Sequence, residues 1–181
     1  LKILELIGRW NEAETIYHQQ LPIVRASGDK VREARTLTSI ADLVRRLGRN
    51  DEAEHYYREG ERVARELNDS MAIARAVGYR GLLHWRRKEY DEALECFREQ
   101  EELSREMEDG GYLGMALGNR GNVYADLGRY DEALECYLES EQLARDQGDD
   151  LGVATMIGNR GTIYSSLGDY SKALGCFEES E

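Results

Sequence analysis

Proline is almost missing from this chain, with one occurrence in 181 residues, at Pro22. So scarce a helix breaker suits packed helices and argues against a disordered segment. Positive charge is also in short supply. There are 24 Lys and Arg against 36 Asp and Glu, a formal net charge of -12. Nucleic acid and anionic lipid both demand a positive surface, so neither is an expected partner. No apolar run approaches the roughly 18 residues of a membrane span. No secretory signal is seen, although a chain opening at Leu1 does not test for one.

Cysteine is limited to Cys96, Cys136 and Cys176, forty residues apart. A disulfide needs Cα atoms within about 7 Å, and equivalent points on stacked helices lie about 8–10 Å apart or more. The close C-x2-C pairs of a zinc set are missing too. These cysteines read as small packed residues, reduced, which points to the cytoplasm. The three histidines, His18, His55 and His84, fall on different helices without metal spacing between any pair. There is no G-x-S-x-G, no P-loop and no Cys–His dyad. Gly118-Asn119-Arg120-Gly121 sits mid-helix and follows no strand, so it is not a dinucleotide loop. No catalytic residue, metal or cofactor is expected.

What the chain does have is a period. Leu127-Gly128-Arg129-Tyr130-Asp131-Glu132-Ala133-Leu134-Glu135-Cys136 returns forty residues later as Leu167-Gly168-Asp169-Tyr170-Ser171-Lys172-Ala173-Leu174-Gly175-Cys176. The same register holds at Arg87–Cys96, Leu47–Ala53 and Ile7–Ala13, making five copies of about 1–28, 29–68, 69–108, 109–148 and 149–181. Self-similarity at fixed spacing means stacked units, each burying its apolar face against its neighbours. Both ends cut through a unit, so the chain reads as an excerpt of a longer protein. Without polar capping units its ends are expected to self-associate end to end.

Each unit reads as two antiparallel amphipathic helices, about 111–127 and 131–147 in the fourth. Asp29, Asp69, Asp109 and Asp149 are expected N-caps of the first helix, and Asn11, Asp51, Asp91, Asp131 and Ser171 of the second. Gly28, Asn68 and Gly148 are expected left-handed helix ends. Glu108 breaks that pattern, and Gly110-Gly111 is expected to absorb the difference. Gly8, Gly48, Gly128 and Gly168 mark the turn inside the unit, with Lys88 in the third. Gly81, Gly121 and Gly161, with Ala41, face Ala13, Ala53, Ala93, Ala133 and Ala173, so the two helices can approach closely. Tyr124, Tyr164, Tyr137 and Phe177 fill the space alongside, and His84 stands in the place of Tyr124 as a packed ring.

This pattern, quoted in the fourth unit as Leu117, Gly121, Tyr124, Gly128, Tyr130, Ala133 and Tyr137, resembles the tetratricopeptide repeat. The resemblance covers essentially the whole chain. Its period is forty rather than the usual 34, and the proline that commonly ends the second helix is absent. The longer form is similar to repeats of Pins-type scaffolds, kinesin light chains and bacterial arrays attached to signalling proteins. The resemblance implies an all-α, right-handed superhelical solenoid with a concave groove lined by first helices, and a protein or peptide partner.

By that resemblance the groove carries Arg35, Thr38, Ser39, Asp42, Arg45 and Arg46; then Arg75, Gly78, Tyr79, Leu82, Trp85 and Arg86. The later units add Met115, Gly118, Asn119, Asn122, Ala125 and Asp126; then Thr155, Gly158, Asn159, Thr162, Ser165 and Ser166. The first two sets are net positive, opposite to the chain as a whole. An extended acidic segment is the expected ligand, since arginine forks suit carboxylates. Asn119, Asn122 and Asn159 would hold its backbone. Tyr79 and Trp85 read either as packing or as anchors for an apolar side chain. Each arginine alone reads equally well as solvated or paired with a neighbouring glutamate. Asn122 and Asn159 resemble the asparagines of a two-carboxylate clamp, but Gly118 replaces its lysine. Arg80, Arg120 and Arg160 are expected to form a ladder with second-helix glutamates. The other readings are a sensor or spacer arm of a larger regulator, contacting its own chain, and a self-assembling solenoid.

Overall fold

In a computed structural model, residues 8–180 are described. The expected helix at Leu1 and the final Glu181 lie outside them. Among the described residues there are nine helices and no strand: α1 (Trp10–Ser27), α2 (Lys30–Arg46), α3 (Asn50–Glu66), α4 (Ser70–Arg86), α5 (Tyr90–Glu106), α6 (Gly110–Asp126), α7 (Tyr130–Gln147), α8 (Asp150–Ser166) and α9 (Tyr170–Glu179). First helices of the repeat are α2, α4, α6 and α8; second helices are α1, α3, α5, α7 and α9. The chain divides into two compact units, residues 1–83 and 84–181, with the division inside α4.

Asp29, Asp109 and Asp149 accept from the backbone N–H groups of Arg32, Tyr112 and Gly152 at 3.0 Å, and Asp69 from that of Ala72. These four expected N-caps are therefore in place. The second-helix caps differ from expectation. Those helices start earlier, so the N-cap residues are Arg9, Arg49, Glu89, Arg129 and Asp169. Only the Asp169 side chain bonds the first turn, at Lys172. Asp51, Asp91 and Asp131 lie inside the first turn instead, where their charge meets the positive end of the helix dipole.

Left-handed residues end the preceding helices. Gly28, Asn68 and Gly148 adopt φ of 71°, 53° and 68° as expected. Glu108 does the same at 54°, so Gly110-Gly111 does not take over the turn. Lys88, at 62°, fills the place of the turn glycines. Paired backbone bonds close both of these last ends: Glu108 to Arg105 and Asp109 to Ser104, and likewise Lys88 to Trp85 and Glu89 to His84. That is the two-bond pattern of a Schellman end.

In residues 1–83 the core is Ala13, Tyr17, Leu21, Leu37, Ile40, Ala41, Leu43, Val44, Ala53, Tyr57, Val63 and Leu83. Pro22 sits within α1, exposed, while its neighbours Leu21 and Val24 are buried. In residues 84–181 the same positions recur as Leu117, Gly121, Val123, Tyr124, Ala133 and Tyr137. A Cβ on Gly121 would stand 2.6 Å from the Tyr137 ring, and one on Gly161 2.8 Å from Phe177. The expected close approach is thus helix backbone against aromatic face. Cys96, Cys136 and Cys176 are free and buried, and burial pushes the Cys136 thiol up to about 11. His84 is buried, with Nδ1 2.6 Å from Glu89.

Candidate functional site

Residues 1–83 supply Arg35, Asp42 and Arg45 from α2, and Arg75 and Tyr79 from α4. Asp42, Arg45 and Tyr79 converge on Tyr57 of α3. The Tyr57 hydroxyl donates to Asp42 Oδ1 at 2.5 Å and accepts from Arg45 Nε at 3.3 Å. Its ring stacks on Tyr79 at 5.3 Å, and the Arg45 guanidinium lies 5.2 Å from the centre of Tyr79. Burial, then the adjacent Asp42 carboxylate, raises the Tyr57 hydroxyl well above its ordinary range. Asp42 and Arg45 are therefore already engaged within the fold. Arg46 sits over Trp10 at 5.7 Å.

Residues 84–181 repeat this link. Tyr137 of α7 donates to Asn122 Oδ1 at 2.8 Å, the same register as Tyr57 to Asp42. Asn159 Nδ2 approaches the same oxygen at 3.4 Å. The Asn122 amide nitrogen and the Asn159 amide oxygen remain for a ligand. Trp85 donates from Nε1 to Asp126 at 2.8 Å, so it is held by a neighbouring first helix. Asn119 is half-buried beside them in sequence and has no hydrogen-bond partner among the described residues.

The tyrosine link escaped the sequence reading, although a signal for it exists. Tyr57 and Tyr137 have an acceptor fifteen residues earlier, at Asp42 and Asn122, whereas Tyr17 has Lys2 in that place. Units with Phe97 and Phe177 place Leu82 and Thr162 there.

The arginines sort by face. Arg80, Arg120 and Arg160 each bond a second-helix glutamate nineteen residues earlier: Glu61, Glu101 and Glu141. Those glutamates also hold Arg65, Arg105 and Arg145 one turn along. Arg105 and Arg145 go on to Glu139 and Glu179 of the next second helix, and Arg25 likewise reaches Glu59. The expected ladder is present. By contrast Arg35, Arg45, Arg46 and Arg75, and in the later unit Arg86, pair with no carboxylate among the described residues. Arg32 and the second-helix Arg98, away from that face, share this state. Arg75 Nε is buried without a hydrogen-bond partner, a state that the Nε atoms of the ladder arginines Arg120 and Arg160 share.

A cavity of about 150 Å³ opens between α6, α7 and α8, lined by Gly110, Gly114, Met115, Ser140, Ala144 and Met156 among others. Among the described residues one group of three could hold a metal ion: Glu14, His18 and Glu52. No helix of the described residues is long and apolar enough to cross a membrane.

Comparison with known proteins fits this geometry. Two sequence models of the tetratricopeptide repeat match, one at residues 2–66 and 112–181, the other at 38–104. The chain belongs to the tetratricopeptide repeat family, as an all-α solenoid of helix pairs. No curated protein matches. Among solved structures it is similar to BtubC (BKLC) from P. vanneervenii, at 19% identity and TM-score 0.87, covering 99% of this chain and 74% of that one. It is also similar to a signal transduction ATPase with numerous domains, with a tetratricopeptide repeat sensor, from Pyrococcus horikoshii, at 21% and 0.85, covering 98% and 27%. The apo form of RapI matches at 16% and 0.88, covering 98% and 50%. The chain thus spans only half or less of two of these relatives, and identities this low speak for fold alone.

Proposed function

We propose that this chain is a non-catalytic protein–protein interaction scaffold whose first-helix face binds an extended, acidic partner segment. The observation that carries the proposal is the division of the arginines. The ladder arginines are matched to glutamates, whereas Arg35 and Arg75 lack carboxylates. A planar guanidinium fork with no acidic partner suits a carboxylate brought by a ligand. Asn119, Asn122 and Asn159 then hold the segment's backbone with their free donors and acceptors. Asp42 and Trp85 serve as supports for that face, since Tyr57 and Asp126 already engage them.

The test is paired capture from source-cell lysate. One bait is this chain; the other carries Arg35, Arg75, Asn119 and Asn159 changed to Ala, with folding checked by circular dichroism. Captured partners are mapped to peptides, which are synthesised and titrated by fluorescence anisotropy. Acidic segments that bind only the unsubstituted chain support the proposal. Equal capture by both baits, or none, sinks it.

A second reading makes the array a sensor or spacer arm of a larger regulator, contacting its own chain. The likeness to the sensor-bearing ATPase, of which it spans 27%, favours that reading. A third, end-to-end self-association, draws on α9, where Tyr170, Leu174 and Phe177 are exposed. Sedimentation of the chain alone separates it from the other two.

A further inference from the structure

We propose that Glu14, His18 and Glu52 form a binding site for a divalent transition metal ion of the zinc class, and that Arg49 competes with the metal for it. Glu14 and His18 are one turn apart on α1, so they share a side of that helix. Glu52 comes from the first turn of α3. One oxygen of each glutamate and one ring nitrogen of His18 all lie within 4.8 Å of one another. His18 Nε2 stands 3.6 Å from the Glu14 carboxylate. That is too long for a hydrogen bond. It is close to the separation of two ligand atoms sharing a tetrahedral ion at bonds of ~2.0–2.1 Å, which is about 3.4 Å.

A cation already sits on the two carboxylates. Arg49 donates to Glu14 Oε1 at 2.6 Å and to both oxygens of Glu52 at 2.8 Å. Arg49, Glu52 and His18 are each about 40% exposed in their side chains. The Arg49–Glu52 pair, that exposed, stabilises little, whereas Glu14 is only 17% exposed and its pair with Arg49 is the one a metal has to replace. The metal gains a ligand that arginine cannot use, because the imidazole nitrogen donates electrons to an ion but offers nothing to a group that is already all donor. One nitrogen and two carboxylates leave an open position on a four-coordinate ion. That set favours zinc-class ions over magnesium or calcium, which prefer oxygen alone.

The set is not a by-product of the repeat. At the place of His18 the next units carry Arg58, Arg98 and Leu138; at the place of Glu14 they carry Glu54, Leu94 and Leu134. Glu, His and Glu coincide in this register once, at the first pair of second helices. A bound ion would tie α1 to α3.

Calorimetric titration of zinc into the chain tests the proposal, with His18→Ala, Arg49→Met and a magnesium control. Both altered side chains are about 40% exposed, and circular dichroism verifies each fold. The expected result is saturable binding of one ion, weakened about tenfold or more in His18→Ala, tightened in Arg49→Met, and absent with magnesium. Binding weaker than about 1 mM in both the unaltered chain and Arg49→Met overturns the site. So does His18→Ala binding as tightly as the unaltered chain. Unchanged affinity in Arg49→Met overturns the competition.

Discussion

Single residues carry the strain and the close contacts of this fold. Glu108 and Lys88 hold the left-handed conformation that glycine or asparagine occupies at the equivalent turns. A side chain there is disfavoured by about 1–2 kcal/mol, of which glycine's greater freedom in the unfolded chain takes back part. Glu108→Gly should therefore stabilise by about 0.5–1 kcal/mol, read as a raised urea midpoint at unchanged slope. Two glycines in first helices should respond in opposite ways. Gly121→Ala drives a methyl into the Tyr137 ring, which is buried and tethered at its hydroxyl, and should destabilise by about 1–3 kcal/mol. Gly158→Ala meets nothing within 4 Å and should stabilise by up to about 1 kcal/mol. The repeat identified Gly121 in advance, because glycine or alanine recurs there. It did not reveal Glu108, where the backbone is set by the position within the unit rather than by the residue type.

Helices show where sequence reading succeeds and where it falls short. Their number, order and buried stripe were legible because the apolar pattern repeats five times. Their starts were not all legible. Asp51 and Asp131 have the chemistry of caps, yet Asn50 and Tyr130 before them are already helical, and the acids serve the dipole from inside. In the sequence the second-helix tyrosines look only like filler. Their hydroxyls reach Asp42 and Asn122 fifteen residues earlier, through an antiparallel pairing that linear spacing does not display. The ladder was legible, since Arg80, Arg120 and Arg160 recur at forty. Arg120 is mostly buried and joins α6 to Glu101 of α5. Arg120→Met should lower stability by about 1–2 kcal/mol, because Glu101 keeps only its exposed partner Arg105. Urea unfolding measures this, and Glu101→Gln in the same background should add little.

Across the whole molecule, acidic residues outnumber basic ones and many are held by arginine. Burial pushes the Glu33 carboxyl up, but hydrogen bonds from Lys30 and Arg25 more than offset it and leave it depressed. Glu52 is depressed by Arg49. A carboxylate with a lowered folded-state pKa contributes stability above its unfolded value, and that stability is lost as pH falls through the folded one. The melting temperature should thus hold at neutral pH and fall below about pH 4. Glu33→Gln should melt lower at pH 7 and show a shallower acid decline. The ladder has a further consequence, for heredity. Its links span nineteen or thirty-four residues within a period of forty. Recombination that excised residues 109–148 would bring Arg160 to Glu101, Glu179 to Arg105, and Asp149 to the cap left by Asp109. Between residues 69 and 148 a gene for this chain can shrink or grow in forty-codon steps and still encode a matched set of charges, whereas excising residues 29–68 would set Arg80 against Leu21 in place of Glu61.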